Sequence, residues 1–116
     1  MVIERFEGTG RMSRAVRYDG TLYLCGQTSR DGSCVKAQTK EVLNKVEELL
    51  CKYGSDKESI LSATIYLKDM NDFSAMNEIW DSWVIKGSEP ARACVKTELA
   101  SPEILVEISV IAAVKQ

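Results

Sequence analysis

Along the chain, the spacing of apolar residues switches between every second position and every third or fourth, and each switch marks a strand giving way to a helix. Ala15 to Cys25 holds two extended runs flanking Asp19-Gly20. That dipeptide suits a β-hairpin, because a type I′ turn needs positive φ at both central residues. Val2 to Glu7 reads as a further short strand, broken by Gly8-Thr9-Gly10, and Arg11 to Arg14 is polar and loop-like. Gly26-Gln27 closes the hairpin, where a glycine permits close approach by another chain or a ligand. Beyond the turn Arg30-Asp31-Gly32-Ser33, apolar residues from Val35 to Tyr53 recur at helical spacing, with most lysines and glutamates elsewhere. This predicts an amphipathic helix capped by Ser33 and ended by Gly54.

Ser55-Asp56-Lys57-Glu58 has the form of a brief helical turn. Leu61 to Lys68 alternates, with Leu61, Ala63, Ile65 and Leu67 on one face of a half-buried strand. Asp69 or Asn71 is the expected cap of a second helix, in which Phe73, Met76, Trp80, Trp83 and Val84 form the apolar stripe and Gly87 the stop. Pro90 opens a strand running to about Glu98, on which Arg92, Cys94 and Lys96 share a face. After the turn Ala100-Ser101-Pro102-Glu103, Ile104 to Val114 alternates again, with Glu107 out of place among apolar neighbours. The order strand, strand, helix, strand, helix, strand, strand describes an α+β layer of two helices on one sheet. The other face of that sheet is then expected to carry Ser62, Thr64, Tyr66, Arg92, Cys94, Glu107 and Ser109. That mixture is too polar for a second core, and self-association through the face would explain it.

Composition narrows the chemistry. A chain of 116 residues, 45% hydrophobic and 28% charged, is expected to form one domain over residues 1–116. A net charge of -2 disfavours nucleic-acid partners that need many phosphate contacts. The chain contains no histidine, which removes the commonest general base and metal ligand, and with them serine or cysteine triads. Its four cysteines have no zinc-type spacing, and no apolar run is long enough for a signal peptide or a membrane span. A reduced, cytoplasmic protein is the expectation, with Cys25, Cys34 and Cys51 as packing residues.

Arg92 presents a fork of donors that matches a carboxylate in two parallel hydrogen bonds, and an ion pair with Glu98 or Glu107 is an equal reading of its position. Glu107 either pairs with Arg92 or Lys96 or orients water as a general base. Cys94, with no base to activate it, reads as lining. Asn77 lies among the apolar positions of the second helix and reads as a buried hydrogen-bonding residue that fixes a neighbouring loop.

Taken together, Gly26-Gln27, Gln38-Thr39, Tyr66-Leu67-Lys68-Asp69-Met70, Asp72-Phe73 with Met76-Asn77, Pro90-Ala91-Arg92 and Val106-Glu107-Ile108 occur in an order and spacing that resemble the RidA (YjgF/YER057c/UK114) family of reactive imine deaminases. The resemblance runs from about residue 14 to the C-terminus. It implies a chorismate-mutase-like fold of the bacillus type, a single mixed sheet with two helices on one face, assembled as a homotrimer with sites between subunits. It also implies hydrolysis of small 2-imino acids such as 2-iminobutanoate and 2-iminopropanoate to 2-keto acids and ammonia, with no cofactor and no metal. On the matching positions, Arg92 would grip the substrate carboxylate, Glu107 would orient the attacking water, Cys94 would line the pocket, and Gly26 and Asn77 would form or support it. The alternative is a trimeric module that binds small carboxylates without turnover. Where the best-studied members carry Gly-Pro-Tyr, this chain has Gly10-Arg11-Met12-Ser13, as in a divergent branch, and Arg11 or Ser13 would take the place of the tyrosine's contact.

Overall fold

The computed structural model describes residues 1–115. Its strands are β1 (Glu4–Gly8), β2 (Ser13–Tyr18), β3 (Thr21–Leu24), β4 (Gln27–Thr28), β5 (Ile60–Leu67), β6 (Ala91–Lys96) and β7 (Val106–Ala113), and its helices are α1 (Val35–Lys52) and α2 (Phe73–Trp83). They form one mixed sheet in the order β1-β2-β3-β7-β5-β6, with β4 continuing beside β7. Among the described strands only β5 and β6 are parallel, and α2 lies in the crossover between them. The α+β reading therefore holds, with β4 added to the expected strands.

The β2–β3 hairpin turns at Asp19 and Gly20 with φ of 52° and 77°. These are the two positive values that a type I′ turn demands. Elsewhere several boundaries differ from the expectation. α1 is capped by Cys34, whose Sγ accepts from the Ala37 N–H at 3.4 Å, while Ser33 spends its N–H and hydroxyl on the Asp31 carboxylate. Asp69 caps a single 3₁₀ turn, Met70–Asp72, and α2 follows it. α2 stops at Trp83, so Gly87 belongs to the separate turn closed by the bond from Ser88 N–H to Ile85 O. A bulge between Ile60 and Ser62 turns Leu61 outward, leaving it 52% exposed instead of in the core. Cys34 and Cys51 are likewise exposed rather than packed.

Both helices cover one face, where Leu22, Ile65, Leu67, Val106 and Ile108 from the sheet meet Val42, Val46, Leu50 and Met76 from the helices. The molecule measures 43 × 37 × 20 Å. The short dimension is that of one sheet plus one helical layer, given a spacing of about 10 Å between packed layers. The other face is uncovered. It presents Tyr23 and Ile111, a register pair exposed at 44% and 36%, together with Thr64, Tyr66, Glu107 and Ser109.

Gln38, wholly buried on α1, ties the helix to the β6–β7 connection. Its Nε2 donates to Asp31 O at 2.8 Å and Glu103 O at 2.7 Å, and its Oε1 accepts from Leu105 N–H at 2.8 Å. Gln38→Ala strands three backbone groups at once. It should lower the unfolding free energy by about 2–4 kcal/mol, read as a lower urea midpoint with an unchanged slope.

Candidate active site

β6 is the outer strand next to β5, and their register pairs Ala63 with Arg92 and Ile65 with Cys94. Paired residues share a face, so Arg92 and Cys94 lie on the helix side of the sheet. This corrects the expectation that they join Glu107 on the open side. At a sheet edge the helical layer thins, and an arginine is accommodated there without burial. Its guanidinium lies 5.3 Å from the centre of the Trp80 ring, and Nη1 donates to Asn77 Oδ1 at 2.7 Å. Asn77 and Trp80 are one helical turn apart on α2, which is how two side chains reach the same group. Asn77 is thus half-buried and positions Arg92 rather than fixing a loop.

Among the described residues Arg92 forms no ion pair, and neither does Glu107. Pairing of Arg92 with Glu98 or Glu107 is therefore not what holds it. One edge of a flat, exposed guanidinium is bonded to an amide and one face is stacked, and its remaining donors are free for a ligand. Beside it, burial pushes the Cys94 thiol above its ordinary pKa, and the Arg92 charge only partly offsets this. The thiol stays protonated at neutral pH, which suits lining and not attack.

Glu107 lies on the open face, paired through Tyr66 of β5 to Val95 of β6. Its carboxylate rests on Gly26. A methyl group at that glycine would overlap Oε2 and lie 2.8 Å from Cδ, so the missing side chain is what gives the carboxylate its place. Between β3 and β4 the register against β7 shifts by one residue, from Tyr23 opposite Ile111 to Gln27 opposite Ile108, and Gly26 sits in that irregularity. Cys25 N–H donates to Arg14 O at 3.0 Å, which brings Ser13, half-buried at the start of β2, alongside Gly26. Arg11 projects from the tip of the Thr9–Met12 turn with its side chain unpaired among the described residues.

The five anticipated residues thus form two groups. Asn77, Arg92 and Cys94 make one wall, and Gly26 with Glu107 makes another. Arg92 precedes the level of Glu107 by three residues of strand, roughly 10 Å, and stands two strand spacings of about 4.8 Å away on the opposite face. One copy of the chain does not bring the two walls together. Trp80, seen in the sequence only as core, completes the arginine's seat. Its spacing of three from Asn77 was the available signal.

The family model for endoribonuclease L-PSP matches residues 2–114. The chain belongs to that family. The RutC family protein YoaB of Escherichia coli (strain K12) is 42% identical over 114 residues, covering 98% of this chain and 100% of that protein. The crystal structure of NMB1025 from Neisseria meningitidis, a member of the YjgF protein family, superposes with a TM-score of 0.97 at 43% identity, over 100% of this chain and 98% of that one. Rv2704 from Mycobacterium tuberculosis, of the YjgF/YER057c/UK114 family, gives 0.85 at 28% identity, over 93% and 91%. The similarity to the endoribonuclease L-PSP family takes in β1 as well, ahead of the span from residue 14 that the motifs alone supported. No helix of the described chain is long and apolar enough to cross a membrane.

Proposed function

We propose that the protein hydrolyses small 2-imino acids to 2-keto acids and ammonia, at sites completed by a second copy of the chain. The observation that carries this reading is the Arg92 guanidinium, seated on Trp80 and Asn77 with no carboxylate partner among the described residues. It has two donors to spare for a substrate carboxylate, and the mouth beside it is lined by a protonated thiol. A 2-iminium carbon is already electrophilic, so fixing the carboxylate and placing one water supplies most of the required catalysis. Glu107, resting on Gly26 and free of ion pairs among the described residues, takes a proton from that water as its oxygen bonds to the imine carbon. The same proton passes to the nitrogen of the tetrahedral adduct. Glu107 then takes the hydroxyl proton of the adduct as the C–N bond breaks, which releases ammonia and leaves the keto group. Ser13 stands on the Glu107 wall as a second polar contact to substrate. A homotrimer, in which each site takes Arg92 from one copy and Glu107 from its neighbour, satisfies the separation of the two walls and covers the open face.

The test is to generate 2-iminopropanoate in situ and follow its loss. Glu107→Gln should lower kcat by about 10²-fold while carboxylate affinity changes less than about two-fold. Gly26→Ala, which displaces the carboxylate without touching Arg92, should also lose about 10² in kcat. Both variants should keep the wild-type melting behaviour. A wild-type protein that binds pyruvate yet does not accelerate imine loss over buffer would instead establish the binding-module reading. The ribonuclease in the family's description finds less support, since RNA cleavage by acid–base catalysis most often uses histidine and this chain has none. A salt-dependent affinity for RNA would revive it.

A further inference from the structure

A cavity of about 500 Å³ opens where the parallel strands β5 and β6 end, walled by Lys68, Lys96, Glu98, Leu99, Ala100 and Pro102. Neither Arg92 nor Glu107 reaches it. We propose that it is a separate binding site for a monocarboxylate with an apolar, medium-length tail.

Three features support this. The mouth is basic: Lys96 forms no ion pair among the described residues, and Lys68 uses one of its three donors on Pro102 O at 2.8 Å. Among the described lining residues, one carboxylate, Glu98, stands against two ammonium groups, leaving a net positive charge. The floor is apolar, made of Leu99, Ala100 and Pro102 with the lysine stems. The wall is also built in advance. Gln38 holds Glu103 O and Leu105 N–H from beneath, Arg30 donates to Ser101 Oγ at 2.9 Å, and Thr97 N–H bonds to Leu67 O at 2.9 Å. A loop so tied does not have to be ordered by its ligand, which removes a main cost of binding. The position, outside the carboxyl ends of adjacent parallel strands joined through a helix, is where open sheets place ligands. Zwitterions suit the site less, because a lone Glu98 must then compete with both lysines for its partner.

Isothermal titration with butyrate, hexanoate and octanoate tests this on the full chain. Affinity should rise by about three-fold per methylene, and therefore about ten-fold from hexanoate to octanoate. Lys96→Glu, which reverses the free charge, and Ala100→Trp, which fills the floor from an exposed position, should each weaken octanoate at least about ten-fold. Arg92→Ala should leave it unchanged, which separates this site from the proposed catalytic one. Absence of saturable binding, affinity independent of chain length, loss of binding in Arg92→Ala alone, or tighter binding of 2-aminooctanoate than of octanoate would each overturn the assignment.

Discussion

Replacing Arg92 with alanine should lower kcat/KM for 2-iminopropanoate by about 10²- to 10⁴-fold, since two charge-assisted hydrogen bonds to the substrate carboxylate are lost at about 1.5–3 kcal/mol each. The effect should be specific to function. Arg92 is exposed, forms no ion pair among the described residues, and contributes to the fold only a stack on Trp80 and one bond to Asn77. Its melting temperature should therefore change little. Arg92→Lys keeps the charge but loses the planar fork and the stacking, and should recover less than about a tenth of the activity. Asn77→Ala leaves the guanidinium intact but frees it to rotate, so a loss of about ten-fold, expressed mainly in KM, is expected. Steady-state kinetics on the three variants checks the series. Equal activity of Arg92→Ala and wild type on a carboxylate-bearing imine would remove the anchor from the mechanism.

Much of the layout was legible in the residue pattern, and the misplacements have a common cause. Alternation states which residues of one strand share a face. It leaves open which face of one strand lines up with which face of the next. Arg92 and Cys94 were correctly put together, and so were Glu107 and Ser109, but the two pairs were joined by polarity alone. The register of β5 against β6, Ala63 beside Arg92, sets Arg92 on the helix side, while that of β5 against β7, Tyr66 beside Glu107, sets Glu107 on the open side. The bulge that turns out Leu61 is the same kind of event: one extra residue inverts the phase of a strand whose composition gives no sign of it. Local chemistry was easier to read. Asp19-Gly20 identified its turn because the conformation it allows is rare, whereas Ser33 and Cys34 are adjacent possible caps and backbone geometry chose the weaker acceptor. Gly26 was legible as a place of close approach, but its occupant, the Glu107 side chain of the same molecule, follows only from the register shift between β3 and β4.

The opposed faces of Arg92 and Glu107 lead to the second large effect. If each site takes its arginine from one copy and its glutamate from another, two inactive proteins should restore activity when mixed. Arg92→Ala supplies intact Glu107 walls, and Glu107→Gln supplies intact Arg92 walls. In a randomly reassembled closed ring, the chance that a given interface draws Arg92 from one variant and Glu107 from the other is one half times one half, or about a quarter of wild-type sites. Each variant alone should sit at about 1% of wild-type activity or below, so mild unfolding and refolding of an equimolar mixture should raise the rate about 25-fold or more. Simple mixing of preassembled proteins should do so only as fast as subunits exchange. A doubly substituted chain, refolded with wild type, gives the counterpart: interfaces with both contributions intact again number about a quarter, a two-fold fall below the one half that dilution of the wild type alone leaves. Recovery in the first mixture and a two-fold fall below dilution in the second would place the two residues in different copies. No recovery from correctly refolded mixed assemblies would mean that Arg92 and Glu107 act within one chain, which the register of β5, β6 and β7 opposes.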